Sequence, residues 1–331
     1  GKKCDVCIIA PATANTLNKL SQGIADNILT QTLLAFTKEI LVAPAANTNM
    51  LANPFSVESL KRLEQNNYTI ITPQEKLLAC GDVGSGALAE PDEIFFEVSR
   101  ILLKESFWQD RSVIVTGGGS REKIDEVRYI SNFSSGKMAK ALSLALYLKG
   151  ANVHYITSMG SSALPRTIQI TDFEDAKALL GYTQDAIHDA TKKSAKEAYL
   201  FMVAAVADFT PKEPKSGKLK KATLGDEWSV ALTQNPDILS TLDKTDIKTV
   251  AFKAEMDSQE GLNNAKNLLE KKRVDAVCYN LLKDAKSFGG NENEITFITK
   301  KSEMPLGRSD KLTLSFKILD EAKKLHENEA V

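Results

Sequence analysis

The chain has 331 residues, of which 43% are hydrophobic and 26% charged, and its formal net charge is -1. This length suffices for two domains with separate cores, and the near-zero net charge gives no overall attraction for nucleic acid or for an acidic membrane. Because no apolar run reaches the roughly 18–20 residues that span a bilayer and no signal-peptide pattern opens the chain, we expect a cytoplasmic protein with neither nucleic-acid nor membrane partners.

Short apolar runs alternate with segments of helical periodicity along the whole chain. The first runs are DVCIIA, EILVAPA and YTIITP, and the later ones are SVIVTGG, NVHYITS, AYLFMVAAVA, KTVAFKA and DAVCYN. This alternation predicts α/β structure, with two Rossmann-like or flavodoxin-like domains whose sheets are largely parallel. The segment EIFFEVSRILLKESFWQDRS predicts a helix followed by a connector. We therefore expect a partial first domain over 1–105, with about three strands, and a second domain over 110–331.

The four cysteines are too few for a disulfide framework. Cys4 and Cys7 have CxxC spacing, but CDVCIIA predicts a buried strand and the sequence has no second pair to complete a zinc site. Cys278, in AVCYN, predicts a buried and inert thiol. Cys80 differs because it lies in the glycine-rich segment LLACGDVGSGALAEP, which is typical of an exposed loop.

A glycine cluster follows the strand SVIVTGGG. Gly117, Gly118 and Gly119 suit either a close approach to a nucleotide phosphate or a tight structural turn. The following ISNFSSGKMAK ends in a Gly-Lys pair but lacks Walker spacing, because Ser131 and Met138 stand where glycine and Ser or Thr are required. Its small hydroxyl residues before the helical pattern MAKALSLALYLKG nevertheless predict an anion site at a helix start. About 20 positions after the glycine cluster, the sequence has no acidic residue suited to binding the ribose of NAD, so a dehydrogenase is not supported.

Three later strands end in polar residues. Asp208 follows VAAVA, Lys253 and Glu255 lie in AFKAEM, and Asn280 ends VCYN. Because the carboxyl ends of parallel strands share one edge of a sheet, we expect these side chains to converge on one crevice. Asp208 suits binding of a base, a ribose or magnesium, or capping of the next turn. The lysine-rich segment 210–224 is consistent with a solvated loop or with a lid that brings ammonium groups to a polyanion.

Motifs in matching order over nearly the whole chain resemble a bifunctional family of coenzyme A biosynthesis. TGGGSREKIDEVRYISNFSSGKMAKAL, AAVADF, KLKK, NPDIL, AFKAE and VDAVCYN...FGGNENEITFI resemble phosphopantothenate–cysteine ligase. IIAPATANTLNKLSQGIADNILTQTLLA, PAANTNM and ACGDVGSGALAEP resemble the FMN-dependent phosphopantothenoylcysteine decarboxylase that precedes the ligase in the same polypeptide. The resemblance implies small-molecule substrates, FMN, Mg²⁺ accompanying CTP, and a homo-oligomer.

For the second domain, the resemblance implies that CTP converts the carboxylate of 4′-phosphopantothenate to an acyl-cytidylate. The amine of cysteine then attacks it and CMP leaves. By match to the family motifs, Asn132 would stabilise the acyl-cytidylate and Asp208 would bind the cytidine side of the nucleotide. Lys218, on a mobile loop, would contact CTP. The phosphate sites would be lined by Gly117, Gly118, Gly119, Ser134, Ser135 and Lys137. Phe252 and Asn280 would complete the substrate site, with simple packing as the alternative for Phe252.

For the first domain, the resemblance implies that FMN oxidises the substrate thiol to a thioaldehyde, which makes loss of carbon dioxide easy. Thr13, Ala14 and Asn15 would bind the flavin. Asn47 would hold the substrate carboxylate, and Cys80 would return a proton to the reduced intermediate.

Some positions depart from the family pattern. Ala46 replaces the first methionine of PxMNxxM, and Ala139 stands where glycine is usual. The family's flavin strand and catalytic histidine should lie upstream of DVCIIAPATANT, whereas His154, His188 and His326 all fall in the second domain. We therefore expect an incomplete decarboxylase half and leave its carboxy-lyase activity open. Two rival functions remain, an FMN-binding decarboxylase with a regulatory nucleotide domain and a non-catalytic nucleotide-binding module.

Overall fold

The computed structural model describes residues 3–77, 83–160, 163–193, 195–220, 224–256, 258–282 and 289–327. The chain divides into two compact units, Gly1–Lys104 and Glu105–Val331. Both units are α/β, with parallel strands at their centres. This agrees with the predicted fold class, and all eight apolar runs form strands. In the described part of the chain, no helix is both long and apolar enough to cross a membrane.

The first unit contains a three-stranded parallel sheet and a separate antiparallel strand pair. The sheet, in spatial order, comprises β1 (Cys7–Ala12), β2 (Ile40–Pro44) and β3 (Tyr68–Ile70). The pair comprises β4 (Gln74–Leu77) and β5 (Val83–Ala87). The helices are α1 (Ala14–Ser21), α2 (Ile28–Leu34), α3 (Thr48–Ala52), α4 (Pro54–Glu64) and α5 (Pro91–Leu103). Leu17, Leu33, Val42 and Leu63 are fully buried in the core beside this sheet.

One expectation for β1 is wrong. Only Ile9 and Ala12 of this strand are buried, while Ile8 is 42% exposed, so the strand is not enclosed on both faces. Cys4 is exposed and Cys7 half-buried. By contrast, Cys278 in the second unit is fully buried, and burial raises the pKa of its thiol well above the usual value. The predicted burial of this thiol is confirmed, and its inertness stays a prediction.

The second unit is built on an eight-stranded sheet. Its strands are β6 (Ser112–Gly117), β9 (Asn152–Thr157), β10 (Gln169–Asp172), β11 (Ala198–Met202), β14 (Ile247–Glu255), β15 (Ala276–Leu281), β16 (Glu292–Thr299) and β17 (Glu303–Asp310). Two short antiparallel pairs join β7 (Glu122–Lys123) to β8 (Tyr129–Ile130), and β12 (Phe209–Pro211) to β13 (Leu232–Gln234). The helices are α6 (Lys137–Leu148), α7 (Ala176–Lys193), α8 (Ile238–Thr241), α9 (Ser258–Lys271), α10 (Lys311–Ala322) and α11 (Lys324–Glu327).

The order of this sheet creates a cleft between β6 and β11. The spatial order is β10-β9-β6-β11-β14-β15-β16-β17, so the strands that follow β6 lie on one side and those from β11 onward lie on the other. Ligands of open α/β sheets bind outside the carboxyl ends of strands at such a reversal. The sequence analysis did not predict β16 and β17, which extend the sheet in antiparallel fashion beyond β15.

Candidate functional site

A cleft of about 680 Å³ opens at the carboxyl ends of the central strands of the second unit. Its walls include eight of the predicted site residues, namely Gly118, Asn132, Ser134, Ser135, Lys137, Asp208, Phe252 and Asn280. Lys253 also lines it, so residues from three predicted polar strand ends meet at one edge, whereas Glu255, which was expected there too, does not line the cleft. Gly117 and Gly119 flank Gly118 without lining the cleft themselves.

The glycine turn after β6 is shaped by two close contacts. A methyl group added at Gly117 would lie 2.4 Å from the Cβ of Ala139, so helix α6 packs directly on the strand end. Ala139 is itself almost fully buried, which explains why this position accepts only a very small side chain. Gly118 has a φ of +89°, and a Cβ there would lie 2.2 Å from Ser158 Oγ. The turn therefore requires glycine at both positions.

Hydrogen bonds join this turn to the segment after β11. Ala205 N donates to Gly118 O at 2.8 Å, and Ser120 N donates to Ala205 O at 3.1 Å. The Nδ2 of Asn132 donates to Val206 O at 2.8 Å. The amide plane of Asn132 is thus oriented by the neighbouring backbone at the rim of the cleft.

Helix α6 directs positive potential at the cleft. It begins after Gly136, which has a φ of +66°, and no side chain caps its first turn. That turn contains no acidic residue and starts with Lys137. Backbone N–H groups and the helix dipole attract anions at such a position. Lys137 Nζ donates to Gly289 O at 2.8 Å and to Asn291 Oδ1 at 2.9 Å.

A second recess of about 310 Å³ shares Asp208 and Phe252 with the main cleft. Asn235, which sequence reasoning did not select, also lines this recess. Asn235 Nδ2 donates to Ala207 O and its backbone N donates to Asp208 O, both at 2.8 Å. Phe252 is therefore a shared wall of two cavities. In the sequence, this recess was indicated by the motif NPDIL, which contains Asn235.

Lys218 does not line the cleft and is exposed. Its segment is fastened to the rest of the second unit by its neighbours: Lys215 N donates to Ile124 O at 3.0 Å, and Leu219 N donates to Asp125 Oδ2 at 3.2 Å. Arg128 also donates to this carboxylate, and this contact holds the pKa of Asp125 well below its usual range.

Lys311 is a cleft residue that sequence reasoning missed. It begins α10 and is only 9% exposed. Its Nζ donates to Asn293 Oδ1 at 3.0 Å and to Gly290 O. Burial, and secondly the charge of Lys137, lowers the pKa of Lys311. In the sequence, Lys311 is distinguished only by its place at the start of an apolar helical pattern, which is weak evidence for a site residue.

In the first unit, the predicted residues follow two adjacent parallel strands. Thr13 caps α1 after β1, with its Oγ1 accepting from Thr16 N at 3.3 Å. Asn47 caps α3 after β2, with its Oδ1 accepting from Asn49 N at 2.9 Å. Ala45 N donates to Ala12 O, so these strand ends lie side by side.

Individual side chains around these caps differ in exposure. Ala14 is buried, whereas Thr13 and Asn15 are exposed. Cys80 lies outside the described residues. Across the described ranges of the whole chain, no group of three or more His, Cys, Asp or Glu side chains is placed to hold a metal ion.

Two family models match the chain. A model described as Flavoprotein matches residues 1–103, and the DNA/pantothenate metabolism flavoprotein C-terminal domain matches residues 108–325. The chain is 33% identical to the coenzyme A biosynthesis bifunctional protein CoaBC of Haemophilus influenzae, over 97% of this chain and 78% of that protein. It is 34% identical to the protein of the same name from Bacillus subtilis, over 96% and 77%.

A solved structure also resembles this chain. The crystal structure of the C-terminal domain of coenzyme A biosynthesis bifunctional protein CoaBC matches with a TM-score of 0.52 and 25% identity. The match covers 67% of this chain and the whole of that domain.

Proposed function

We infer that this chain, which belongs to the coenzyme A biosynthesis bifunctional protein family, is a CTP-dependent phosphopantothenate–cysteine ligase whose reaction takes place in the cleft of the second unit. The observation that carries this assignment is the convergence of Asn132, Lys137, Asp208 and Asn280 on one cavity at the reversal of strand order. A cavity that combines amide, ammonium and carboxylate groups can bind the different polar parts of an activated acyl nucleotide, which a single kind of group could not do.

The first step needs a binding site for several phosphates. A carboxylate oxygen of 4′-phosphopantothenate forms a bond to the α-phosphorus of CTP, and pyrophosphate leaves with the electron pair of the broken P–O bond. The unsatisfied N–H groups at the start of α6 and the ammonium of Lys137 supply positive potential for this anion. Gly118 and Ser134 bring backbone and hydroxyl groups to the same wall.

The second step is attack of the cysteine amine on the acyl carbon, with release of CMP and loss of an amine proton to solvent. Asn132, which is held by Val206 O at the rim of the cleft, would orient the acyl-cytidylate. Asp208 borders both the cleft and the second recess, so the cytidine end would lie in the recess and the phosphates in the cleft. Lys218 would reach the nucleotide only if its segment moved toward the cleft.

Mg²⁺ would accompany CTP and neutralise its phosphates. This ion usually keeps several waters and binds one or two carboxylates together with substrate phosphates. Asp208 is the carboxylate among the described residues that line the cleft, and it fits that donor set.

We propose that the first unit is the flavoprotein decarboxylase half, in which FMN would supply an electron sink. Thr13, Ala14 and Asn15 would bind FMN, and Asn47 would hold the substrate carboxylate. The hydroxyl of Thr48, adjacent to Asn47, is buried and has no hydrogen-bond partner among the described residues, which fits a polar group of a cofactor or substrate. Cys80 would donate the proton. An absorbance scan of the purified protein for bound flavin tests this assignment.

A homo-oligomer is also proposed. The segment 127–133 presents three exposed apolar side chains, those of Val127, Tyr129 and Phe133, the last of which is 82% exposed. Exposed apolar surface next to a binding site commonly marks a protein contact. Light scattering on the purified chain measures the assembly, and a monomer at all concentrations would contradict the proposal.

The ligase is tested by pyrophosphate release with CTP, Mg²⁺ and 4′-phosphopantothenate, with and without cysteine. We expect release that requires 4′-phosphopantothenate and an amide product that appears only with cysteine. CTP binding without any release would instead support the non-catalytic nucleotide-binding module. Carbon dioxide production from phosphopantothenoylcysteine, without CTP-dependent amide formation, would support the decarboxylase with a regulatory domain.

A further inference from the structure

Two lysines from different helices bind the same short turn at one end of the cleft. Lys137 at the start of α6 donates to Gly289 O and Asn291 Oδ1, and Lys311 at the start of α10 donates to Gly290 O and Asn293 Oδ1. The antiparallel register of β16 and β17 explains why Lys311 reaches this turn, because it pairs Glu292 with Asp310. The turn before β16 and the start of α10 therefore lie at the same edge of the sheet.

Both ammonium groups donate to uncharged oxygens. In the parts of the chain that the structure describes, no acidic side chain forms an ion pair with Lys137 or Lys311, although both lysines line the cleft. The nearest acidic residues in sequence are engaged elsewhere: Glu292 pairs with Arg308 at 2.9 Å, and Asp310 accepts from the backbone N–H groups of Leu312 and Thr313. Among the described residues, the acceptors that hold these two cations at the turn are therefore neutral oxygens.

For Lys311, unlike the exposed Lys137, burial makes the positive charge costly in the absence of an anion. Lys311 is more than nine-tenths buried, and a buried charge is normally paired. Its lowered pKa, caused by burial and by the charge of Lys137, expresses the same cost. Ser135 faces the same turn, since a methyl group added at Gly289 would lie 3.7 Å from its Cβ. Hydroxyl, ammonium and backbone N–H donors therefore surround one end of the cavity.

We propose that Lys311, together with Lys137, binds the tripolyphosphate of the nucleotide. The assignment to a nucleotide rests on the proposed ligase function, whereas the assignment to a polyphosphate rests on the two lysines themselves. Phosphate oxygens would take the place of some of the turn oxygens as hydrogen-bond acceptors. In the activation step the two ammonium groups would neutralise the β- and γ-phosphates, which leave as pyrophosphate.

Binding of inorganic tripolyphosphate, measured by calorimetry, tests the proposal without requiring turnover. Lys311→Gln keeps a donor for Gly290 and Asn293 but removes the charge, and we expect at least about tenfold weaker binding. Lys311→Arg keeps the charge and should bind within roughly threefold of the unmodified chain. Lys317→Gln is the matched control: this half-buried lysine of the same helix donates to Leu306 O at 2.8 Å and does not line the cleft. Its binding should be unchanged.

The outcomes separate this proposal from the proposed function. Undiminished tripolyphosphate binding by a folded Lys311→Gln variant would overturn the role of Lys311. If tripolyphosphate binding depends on Lys311 but the chain releases no pyrophosphate from CTP, the role of Lys311 is supported and the proposed ligase function is contradicted.

If Lys311→Gln does not fold, lysine acylation of the unmodified chain, mapped by mass spectrometry, replaces it. Tripolyphosphate should protect Lys137 and Lys311 while Lys317 stays reactive. Equal reactivity of Lys311 with and without tripolyphosphate would overturn the proposal.

Discussion

The buried carboxylate of Asp125 pairs with the partly exposed guanidinium of Arg128, whose Nε donates to Asp125 Oδ2 at 3.0 Å. The pair holds the backbone of Leu219 from both sides: Leu219 N donates to Asp125 at 3.2 Å, and Leu219 O accepts from Arg128 Nη2 at 3.1 Å. Arg128 also lies over the ring of Trp228, at 4.6 Å from its centroid. Together with the hydrogen bond from Lys215 N to Ile124 O, these contacts fasten the lysine-rich segment on both sides of Lys218.

The first prediction concerns this anchor. Asp125→Asn removes the charge that Arg128 pairs with, so Leu219 should be held less firmly. We expect faster backbone hydrogen exchange over residues 212–220. Asp226→Asn, at an exposed position, is the control and should leave this exchange rate unchanged. An unchanged exchange rate in Asp125→Asn would show that the pair does not restrain the segment.

The second prediction is the pH dependence of that contact. Because the pKa of Asp125 is lowered in the folded state, chiefly by Arg128, its stabilising contribution is complete above the unfolded pKa of about 3.9. It is lost as the pH falls through the lower folded pKa. Urea unfolding should thus give a constant difference between the unmodified chain and Asp125→Asn from pH 8 to pH 5, and a shrinking difference below pH 4. A difference that varies between pH 6 and pH 8 would assign the effect to another group.

The third prediction concerns Asn132. Asn132→Asp removes the donor to Val206 O and places a negative charge near the substrate carboxylate. We expect amide formation to fall at least about 100-fold, while the Kd for CTP changes little, since Asn132 is assigned to the acyl-cytidylate. Calorimetry with CTP and a turnover assay measure the two quantities. Equal losses of binding and turnover would contradict the assignment.

The fourth prediction concerns the glycine turn. Gly118→Ala forces a Cβ toward Ser158 at a positive φ, so we expect a loss of at least about 1 kcal/mol in the free energy of unfolding. Gly181→Ala is the matched control, because this glycine lies within α7 and nothing stands within 4 Å of an added Cβ. The control should be neutral or stabilising by roughly 0.5–1 kcal/mol. Urea titration measures both, and equal stabilities would contradict the strain argument.

The amino-acid sequence was sufficient to predict the α/β class, the strands formed by its eight apolar runs and the polar residues at three strand ends. These follow from local properties: apolar runs form strands, and the βαβ connection makes neighbouring strands parallel, so that Asp208, Lys253 and Asn280 reach one edge. The motif resemblance added proposed roles for Asn132 and Lys137, which stay predictions. Neither strand formation nor motif matching requires knowledge of distant contacts.

Which distant residues share the cleft depends on how the sheet is assembled. The pairing of β15 with an antiparallel β16, and of β16 with β17, returns the chain to the carboxyl ends of the parallel strands and brings Lys311 beside Lys137. The same packing fastens Leu219 to Asp125 and leaves Lys218 outside the cleft. Sequence patterns cannot predict these contacts because strand order and direction depend on the summed packing of the whole sheet, whereas apolar periodicity records only which face of each element is buried.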